Sequence, residues 1–345
     1  MQEQANVGPA SHDTGVSWLS APEARAEWCA IRLGHFMLSF EWSSLPAASN
    51  LALMHEAFGV EAVHWLSALL ALVIVASVLE GLVLQKCWHQ SYDWRAFAAS
   101  FADLVGRRLI DALGFSVAAP LLHWCVVHRL SDWALTTPLQ WLLLFMAHEL
   151  AYYAYHRCAH RVHWFWATHA VHHSPNQLTL AAAFRLGWTG KLSGHTLFFA
   201  PLLWLGASSQ AVFGLLALNL LYQFWLHAPW MPRLGPLEWV LNTPSHHRIH
   251  HASNPEYLDC NYGGVLIVYD RLFGSLVTER ADVVPRYGLS TPIHSHNPLR
   301  IAAVGWLGLW NALTSARGLR AWLVVIFGPP RRAGRCDAVG VDRAE

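Results

Sequence analysis

The sequence carries little charge. Only 13% of its 345 residues are Asp, Glu, Lys or Arg, whereas a typical soluble domain carries about 25%, so few side chains are available to form a water-facing shell. The chain is 54% hydrophobic and contains 19 tryptophans and 9 tyrosines, residues that concentrate at the membrane–water boundary. The net charge of +1 points to no nucleic acid partner. This composition predicts a multi-pass integral membrane protein.

Paired cysteines are also missing, and so is a secretion signal. The six cysteines include no CxxC pair, which argues against a disulfide framework and against a thiolate zinc site. The opening stretch "MQEQANVGPASHDTG" has neither a basic n-region nor an apolar h-region, so no cleaved signal peptide is predicted. We expect this stretch to belong to a solvent-side arm.

Apolar runs predict where the chain crosses the bilayer, because a helical span needs about 20 mostly apolar residues. The first two predicted spans are 62–79 and 112–127. A third starts at 133–147 and is predicted to continue as a helix to His160. A helical hairpin is predicted within 192–232. The hairpin is predicted because 192–232 contains no Asp, Glu, Lys or Arg, yet Ser208 and Ser209 follow Gly206 near its middle. Shorter apolar runs near the C-terminus do not predict spans.

These runs divide the chain into four predicted parts. They are an N-terminal arm with a short helix at 1–60, the first transmembrane helices at 61–135, a catalytic domain at 136–280 that includes the hairpin at about 192–227, and C-terminal hydrophobic helices with a basic tail at 281–345. The predicted fold class is all-α, a multi-pass membrane helical bundle with a cytosolic His-rich helical cap.

Histidine is abundant in two places that flank the predicted hairpin. The stretch "HRCAHRVHWFWATHAVHH" holds six histidines in eighteen residues, and "SHHRIHH" holds four in seven. A hairpin returns the chain to the face that it left, so both clusters are expected on one side of the membrane. Basic residues such as Lys86, Arg95 and Arg107 favour the cytoplasmic side, where short basic loops remain.

The spacing of the histidines predicts metal binding. His156 and His160 are four residues apart, and His169, His172, His173 repeat the i, i+3, i+4 spacing of His247, His250, His251, which aligns side chains on one helix face. Eight converging imidazoles exceed the ligands of one metal, so two metals are predicted. Imidazole binds zinc, copper, iron or nickel, but a closed structural zinc site needs only four ligands. A pair of iron ions, which can activate dioxygen, therefore fits better than zinc.

Three histidine motifs in order resemble a known family. "YYAYHRCAH", "WATHAVHHS" and "NTPSHHRIHHASNPEYLDCNYGGVLIVYDRLFGSL" are similar to the fatty acid hydroxylase/sterol desaturase superfamily of membrane di-iron oxygenases, over roughly 141–278. Within that superfamily, "LLYQFWLH" and "NYGGVLIVYDRLFGS" look most like the alkylglycerol monooxygenase branch. That branch hydroxylates the carbon beside an ether oxygen with tetrahydrobiopterin as reductant, so the resemblance implies two irons and an external reductant, either a pterin or an electron-transfer protein.

The resemblance also assigns the ligands. It implies iron binding by His156, His160, His169, His172, His173, His247, His250 and His251, with His227 and His246 matching further histidines of the pattern. For His246, a hydrogen-bonding role beside a ligand is as compatible with the pattern as direct ligation. His195 is predicted to be structural.

Three polar residues are candidates to orient the ligands, because a metal-bound imidazole usually donates its other N–H to a carboxylate or carbonyl. They are Glu149, Asp259 and Asn261. Glu149 stands where the family usually has Asp, and Arg161 stands where the ether-cleaving branch usually has an acidic residue. The second difference bears on the substrate more than on the metal.

The expected function is hydroxylation of an unactivated C–H bond in a lipid (acyl, alkyl-ether or related) with dioxygen and an external reductant. One alternative keeps the site but changes the substrate, as in a sterol or carotenoid desaturase or hydroxylase. Another is a metal carrier without redox chemistry. Carriers place ionisable groups along their spans near the midplane, whereas these histidines flank a hairpin.

Overall fold

The computed structural model describes residues 68–330, which form a helical protein. The predicted N-terminal arm at 1–60 and the basic tail lie outside these residues. The α-helices are α1 (Ala68–Lys86), α2 (Trp94–Ala112), α3 (Ala119–Val127), α4 (Pro138–Arg161), α5 (His163–His169), α6 (Gly190–Ser193), α7 (Ala200–Leu205), α8 (Ser209–Leu226), α9 (Pro244–His250), α10 (Val268–Leu272), α11 (Pro298–Ser315) and α12 (Leu319–Phe327). Within this range no β-strand forms, and the only β-pairing consists of isolated bridges. The all-helical prediction is confirmed for this part of the chain.

Two helices are long and apolar enough to cross a membrane by length and composition, α1 and α8. Their 19 and 18 residues correspond to about 27–29 Å of helix, close to the ~30 Å of a bilayer's hydrocarbon core. The N-terminus of α8 is capped by Ser208, whose hydroxyl accepts the N–H of Ala211 at 3.2 Å. The predicted first span thus overlaps α1.

The second predicted span, 112–127, is wrong as a single helix. α2 ends at Ala112 and Gly114 follows with φ +70°, a left-handed conformation that ends helices. The chain becomes helical again only at α3, which has nine residues and is therefore about 14 Å long. The third predicted segment is confirmed as one continuous helix from Pro138 to Arg161, α4, which begins at a Thr137–Gln140 capping box. Residues 133–137, also included in the prediction, precede the helix.

The predicted hairpin forms with arms of unequal length. Its first arm is the apolar run His195–Leu205, and its second arm is α8. Gly206, with φ +124°, makes the turn. The α3–α4 connection holds this turn in place, since Ser131 donates its hydroxyl to the Leu205 carbonyl at 2.8 Å.

The core fixes α4 beside the hairpin. Leu144 of α4 packs with Phe199, Leu203 and Leu216 in one buried apolar cluster. The C-terminal half of α4 and the end of α8 therefore emerge side by side, where α5 and α9 meet them. On the far side of α5, a Cβ at Gly305 would collide with the backbone of Ala167, so α11 packs backbone to backbone against α5.

Candidate metal centre

Four segments bring histidines to one place. His156 and His160 lie on the last turns of α4, His169 ends α5, and His227 caps the end of α8. α9 and its C-cap supply His247, His250 and His251. His172 and His173 lie in a turn after α5 rather than on a helix, so that part of the helical prediction is wrong, although the turn still directs both rings inward.

The histidines form two groups. In each group the ligand nitrogens all lie within 4.8 Å of one another. The first histidine group is His156, His160, His169, His173 and His250, and the second histidine group is His172, His227, His247 and His251. All nine are buried except His169, which is half-buried. Nine of the ten histidines predicted as ligands are therefore assembled, and they fall into two sets as the count of imidazoles implied.

The distances between ring nitrogens match those of ligands that share a metal. In the first group, Nε2 of His169 lies 3.1 Å from Nε2 of both His156 and His160. In the second group, Nε2 of His247 lies 3.1 Å from Nε2 of both His227 and His251. Zinc–imidazole bonds are about 2.0–2.1 Å long, so two nitrogens at right angles around such an ion lie about 3.0 Å apart.

The hydrogen bonds of His172 and His227 show that their Nε2 atoms carry lone pairs. Nδ1 of His172 is 3.0 Å from the Arg185 carbonyl, and Nδ1 of His227 is 2.8 Å from the Gln223 carbonyl. A carbonyl only accepts, so each Nδ1 carries the hydrogen and each neutral ring has a lone pair on Nε2. These two Nε2 atoms face each other at 3.4 Å. Two facing lone pairs repel unless a cation lies between them.

Burial keeps these rings neutral. Desolvation lowers the pKa of His172 to about 4 and that of His227 to about 3. Burial likewise places the pKa values of His247, His250 and His251 well below their usual range. A neutral imidazole is the form that binds a metal, so the rings are ready for coordination at neutral pH.

The loop at 259–263 orients the first histidine group. His250 donates from Nδ1 to the Cys260 carbonyl at 2.8 Å, and His156 donates from Nδ1 to the Tyr262 carbonyl at 2.9 Å. Asp270, fully buried, accepts the backbone N–H groups of Tyr262 and Gly263 at 2.8 and 2.7 Å. The loop thus holds its carbonyls towards the imidazoles.

Asp259 and Asn261 belong to the same loop, and both have positive φ. Asp259 Oδ1 lies 3.8 Å from Nδ1 of His160, so its charge faces a histidine of the first group. Asn261 contacts backbone instead, because its amide donates to the His246 carbonyl at 3.1 Å and accepts the Val277 N–H at 2.8 Å. Asn261 therefore positions the start of α9 rather than an imidazole.

Two predicted site residues lie outside the groups. His246 points away from both, and its Nδ1 is 3.4 Å from the Thr243 hydroxyl. Glu149 is buried, but its hydrogen bonds go to the Asn219 amide and to the backbone N–H groups of Val265 and Leu266. Among the described residues, no hydrogen bond joins Glu149 to a histidine of either group.

A cavity of about 60 Å³ borders both groups. His169, His172 and His227 form one side of it, and Leu220 and Phe224 of α8 are among its apolar walls. A cavity of this volume accommodates a short segment of a larger molecule. A separate cavity of about 20 Å³ touches His160, His173 and His250.

The cavity includes residues that the sequence analysis missed. His195, predicted to be structural, lines it, and so does Gln223. Gln223 and Asn219 are buried amides one turn apart on the apolar helix α8. Polar side chains inside a candidate span are costly and usually functional, so this signal was present in the sequence.

Comparison with known proteins agrees with this geometry. Residues 141–275 match the model of the fatty acid hydroxylase family. Alkylglycerol monooxygenase from Xenopus tropicalis is 38% identical over 217 residues, which are 63% of this chain and 48% of the relative. The human alkylglycerol monooxygenase is 38% identical over 204 residues, 59% of this chain and 45% of the relative. The chain thus spans about half the length of these curated relatives.

A bacterial relative matches over a longer stretch. Ornithine lipid hydroxylase OlsE from Rhizobium tropici is 28% identical over 282 residues, which are 79% of this chain and 77% of the relative. No solved structure matches the chain. The resemblance inferred from the three histidine motifs is confirmed, and residues 141–275, which match the fatty acid hydroxylase family model, contain both histidine groups.

Proposed function

We propose that the protein is a membrane-bound lipid hydroxylase that holds two iron ions, one in each histidine group. The observation that carries this proposal is the pair of Nε2 lone pairs on His172 and His227, which face each other at 3.4 Å in a buried site. Imidazole ligands suit iron. The first group has five histidines and the second has four, so a six-coordinate ion in either group would keep at least one position open for dioxygen. The donor set therefore fits the metal pair that the family implies.

Bound iron would supply the reduction of dioxygen and the oxidation of a C–H bond, chemistry that side chains do not provide. The chain's own residues keep the imidazoles neutral through burial and orient them through the carbonyls of Arg185, Gln223, Cys260 and Tyr262. The cavity holds the reacting segment of the substrate against His169, His172 and His227, beside the apolar side chains of Leu220 and Phe224. The electrons come from an external donor, either a reduced pterin or an electron-transfer protein.

Membrane association is supported by α1, α8 and an extensive apolar surface. Exposed large apolar side chains include Leu109, Leu113, Phe115, Leu142, Leu143, Leu218, Trp310 and Phe327. Soluble monomers rarely expose apolar patches of more than a few hundred Å². We propose a multi-pass arrangement with the histidine groups on the cytoplasmic side, next to the short basic segments.

The names of the relatives support hydroxylation rather than desaturation, since they are monooxygenases and a lipid hydroxylase. They name two substrate classes, alkylglycerols and ornithine lipids, so we propose a glycerolipid or aminolipid with a long alkyl or acyl chain. A sterol or carotenoid substrate has no comparable support among these relatives. The carrier alternative is disfavoured because the histidines converge on two enclosed points rather than lining a path.

The proposal is tested by metal analysis of detergent-purified protein together with lipid profiling of cells with and without the gene. We expect two irons per chain, and loss of a hydroxylated lipid, or accumulation of an uncleaved ether lipid, when the gene is absent. Stoichiometric zinc, or unchanged lipids in cells that lack the gene, would contradict the proposal. Oxygen uptake by the iron-loaded protein with reductant and lipid separates an oxygenase from a carrier.

A further inference from the structure

Large apolar side chains gather on one surface of the protein outside its long helices. They belong to a 3₁₀-helix at Gly235–Trp239, to the end of α10, or to the residue that follows each. We call this patch the Trp239 surface, and each of its five side chains is at least 47% exposed: Leu237, Trp239, Val240, Leu272 and Phe273. Soluble proteins rarely expose apolar patches that have no partner, so the Trp239 surface needs one.

Backbone hydrogen bonds hold the two segments of the Trp239 surface side by side. The Ile267 N–H, next to the start of α10, donates to the Val240 carbonyl at 2.9 Å. The Asn242 N–H donates to the Val265 carbonyl at 2.8 Å. The five exposed side chains therefore lie on one joined structural unit, although more than thirty positions separate Leu237 from Leu272 in the sequence.

Contacts with the candidate span α8 give the depth of this unit. The Tyr222 hydroxyl of α8 donates to the Asn242 carbonyl at 2.7 Å, and a Cβ at Gly264 would collide with the Asn219 amide of α8. Tyr222 and Asn219 precede the end of α8 at Leu226 by four and seven residues, which is about 6–10 Å along the helix. Interfacial helices bury their apolar face about 5–10 Å into the boundary between headgroups and acyl chains. The two depths agree.

A cation borders the Trp239 surface. Arg271 donates from Nε to the Trp239 carbonyl and from Nη2 to the Glu238 carbonyl, both at 3.0 Å, and its guanidinium lies 4.6 Å from the centroid of the Trp239 ring. The ring and the carbonyls orient the guanidinium without cancelling its charge. The Glu238 carboxylate is engaged elsewhere, because it accepts the Ser245 hydroxyl and the Leu234 N–H. Trp and Arg together suit a membrane interface, where apolar parts enter the lipid and polar ends remain at the headgroups.

We propose that the Trp239 surface is a membrane-docking site that lies at the headgroup–acyl boundary of one leaflet, with Arg271 binding the phosphate of anionic phospholipids. This inference rests on the membrane arrangement in the proposed function and goes beyond it, since it places a segment outside the candidate spans in contact with lipid. The chain between the two parts of the surface carries His247, His250 and His251 and the loop at 259–263. Docking thus anchors to the bilayer the segment that supplies these three histidines.

Photo-crosslinking tests which exposed positions contact lipid. A photoreactive amino acid replaces one residue at a time in the full chain, reconstituted in nanodiscs that contain equal amounts of a zwitterionic and an anionic phospholipid, and mass spectrometry quantifies the lipid adducts. Leu272 is the test position. Leu218 of α8, which is 62% exposed, is the lipid-side control. Val284 is the water-side control, because it is 78% exposed and follows the exposed Arg280–Asp282 ion pair. We expect the adduct yield at Leu272 to approach that at Leu218, with only background at Val284.

The role of Arg271 is tested by the kind of lipid that Leu272 captures. One Arg near a membrane surface should enrich the anionic lipid about fivefold among the adducts. Arg271→Gln should reduce this enrichment to about one, and Arg271→Lys, which keeps the charge, should retain most of it. Arg280→Gln is the matched control, since Arg280 is exposed but pairs with Asp282, and it should leave the enrichment unchanged.

The outcomes separate the docking site from the proposed function. Background yield at Leu272 with a strong yield at Leu218 overturns the docking site alone, and so does crosslinking of Leu272 to a second copy of the chain in place of lipid. Background yield at Leu218 as well overturns the docking site together with the proposed membrane arrangement. Unchanged enrichment in Arg271→Gln excludes Arg271 as the lipid ligand. Hydroxylation is measured on the same preparations, and its absence with normal adducts counts against the proposed function only.

Discussion

The two histidine groups are supported by different parts of the chain. The first group is oriented by the loop at 259–263, which Asp270 holds through backbone N–H groups and the Ser275 hydroxyl at 2.6 Å. His172 of the second group is oriented by the backbone carbonyl of Arg185. Leu186 and Gly187, which follow Arg185, donate their backbone N–H groups to Asp103 Oδ2 on α2, both at 3.1 Å. Each group thus depends on a buried aspartate that binds the backbone of a loop.

The two aspartates differ in how fully they are satisfied. Both oxygens of Asp270 accept hydrogen bonds, whereas Oδ1 of Asp103 has no hydrogen-bond partner among the described residues. The second group also has one histidine fewer. We therefore expect the second group to be more sensitive to loss of a ligand, and the first group to be more sensitive to loss of its aspartate.

The largest effect is expected from His172→Ala. The second group would retain three imidazoles, and because removal of an outer-shell partner already costs about 10–100-fold in affinity or activity, loss of a ligand should cost more than about 100-fold in hydroxylation. Metal analysis should show one iron per chain instead of two. His169→Ala, which leaves four histidines in the first group, is the comparison and should retain more iron. Equal losses in both variants would remove the distinction between the groups.

Asp270→Asn should have the next largest effect. An Asn side chain can place only one acceptor oxygen where two are needed, so its NH₂ would oppose a backbone N–H in a buried site, at a cost of about 1–3 kcal/mol. The loop carbonyls that orient His156 and His250 would shift, and iron affinity of the first group should fall about 10–100-fold. Chelator titration that follows the two irons separately measures this. Preferential iron loss from the second group would contradict the assignment.

Asp103 should produce a pH dependence of stability. Burial raises the pKa of its carboxyl from 3.8 to about 6, so the folded state binds more protons than the unfolded state between these values. Its contribution to stability is therefore fully present below about pH 4 and is lost as the pH rises to about 6, by up to about 3 kcal/mol. Asp103→Asn should abolish this part of the pH dependence and be at least as stable as the wild type at pH 7. Thermal unfolding of both proteins at pH 5 and pH 7 tests this, and identical pH profiles would exclude it.

The smallest effect is expected from His246→Ala. The ring lies outside both groups, and its contact with Thr243 is a weak one at 3.4 Å. Iron content should stay at two per chain, with a modest loss of stability. Loss of one iron in this variant would show that His246 is a ligand after all.

The sequence was sufficient to predict the features that follow from the spacing of residues along a helix. Ligands one helical turn apart, such as His156 and His160, must share a face, and the capped apolar run of α4 must be helical. His246 shows the limit of this reasoning, because it precedes His247 by one residue and a step of one residue turns a side chain by about 100° around a helix. Which of two adjacent histidines points inward depends on how α9 packs.

Other features depend on tertiary contacts that spacing does not encode. The interruption between α2 and α3 arises at Gly114 inside a run that is apolar enough to have been predicted as a span. Glu149 was predicted to bond an imidazole, but the approach of the loop at Gly264 supplies the N–H groups of Val265 and Leu266 instead. Such partners come from residues more than a hundred positions away, so only the folded chain shows them.

The close approach of Gly305 to Ala167 has a consequence for how the protein would sit in a bilayer. α11 touches α5, which carries His169, through backbone atoms on one side, while Leu307 and Trp310 on its surface are 56% and 64% exposed. Trp306 of α11 also packs edge-to-face on Trp164 of α5, with ring centroids 5.1 Å apart, so a displacement of α11 would be transmitted to α5 and His169. In the proposed membrane arrangement, the depth of α11 in the bilayer would therefore set the height of His169 relative to the lipid carbon that is oxidised.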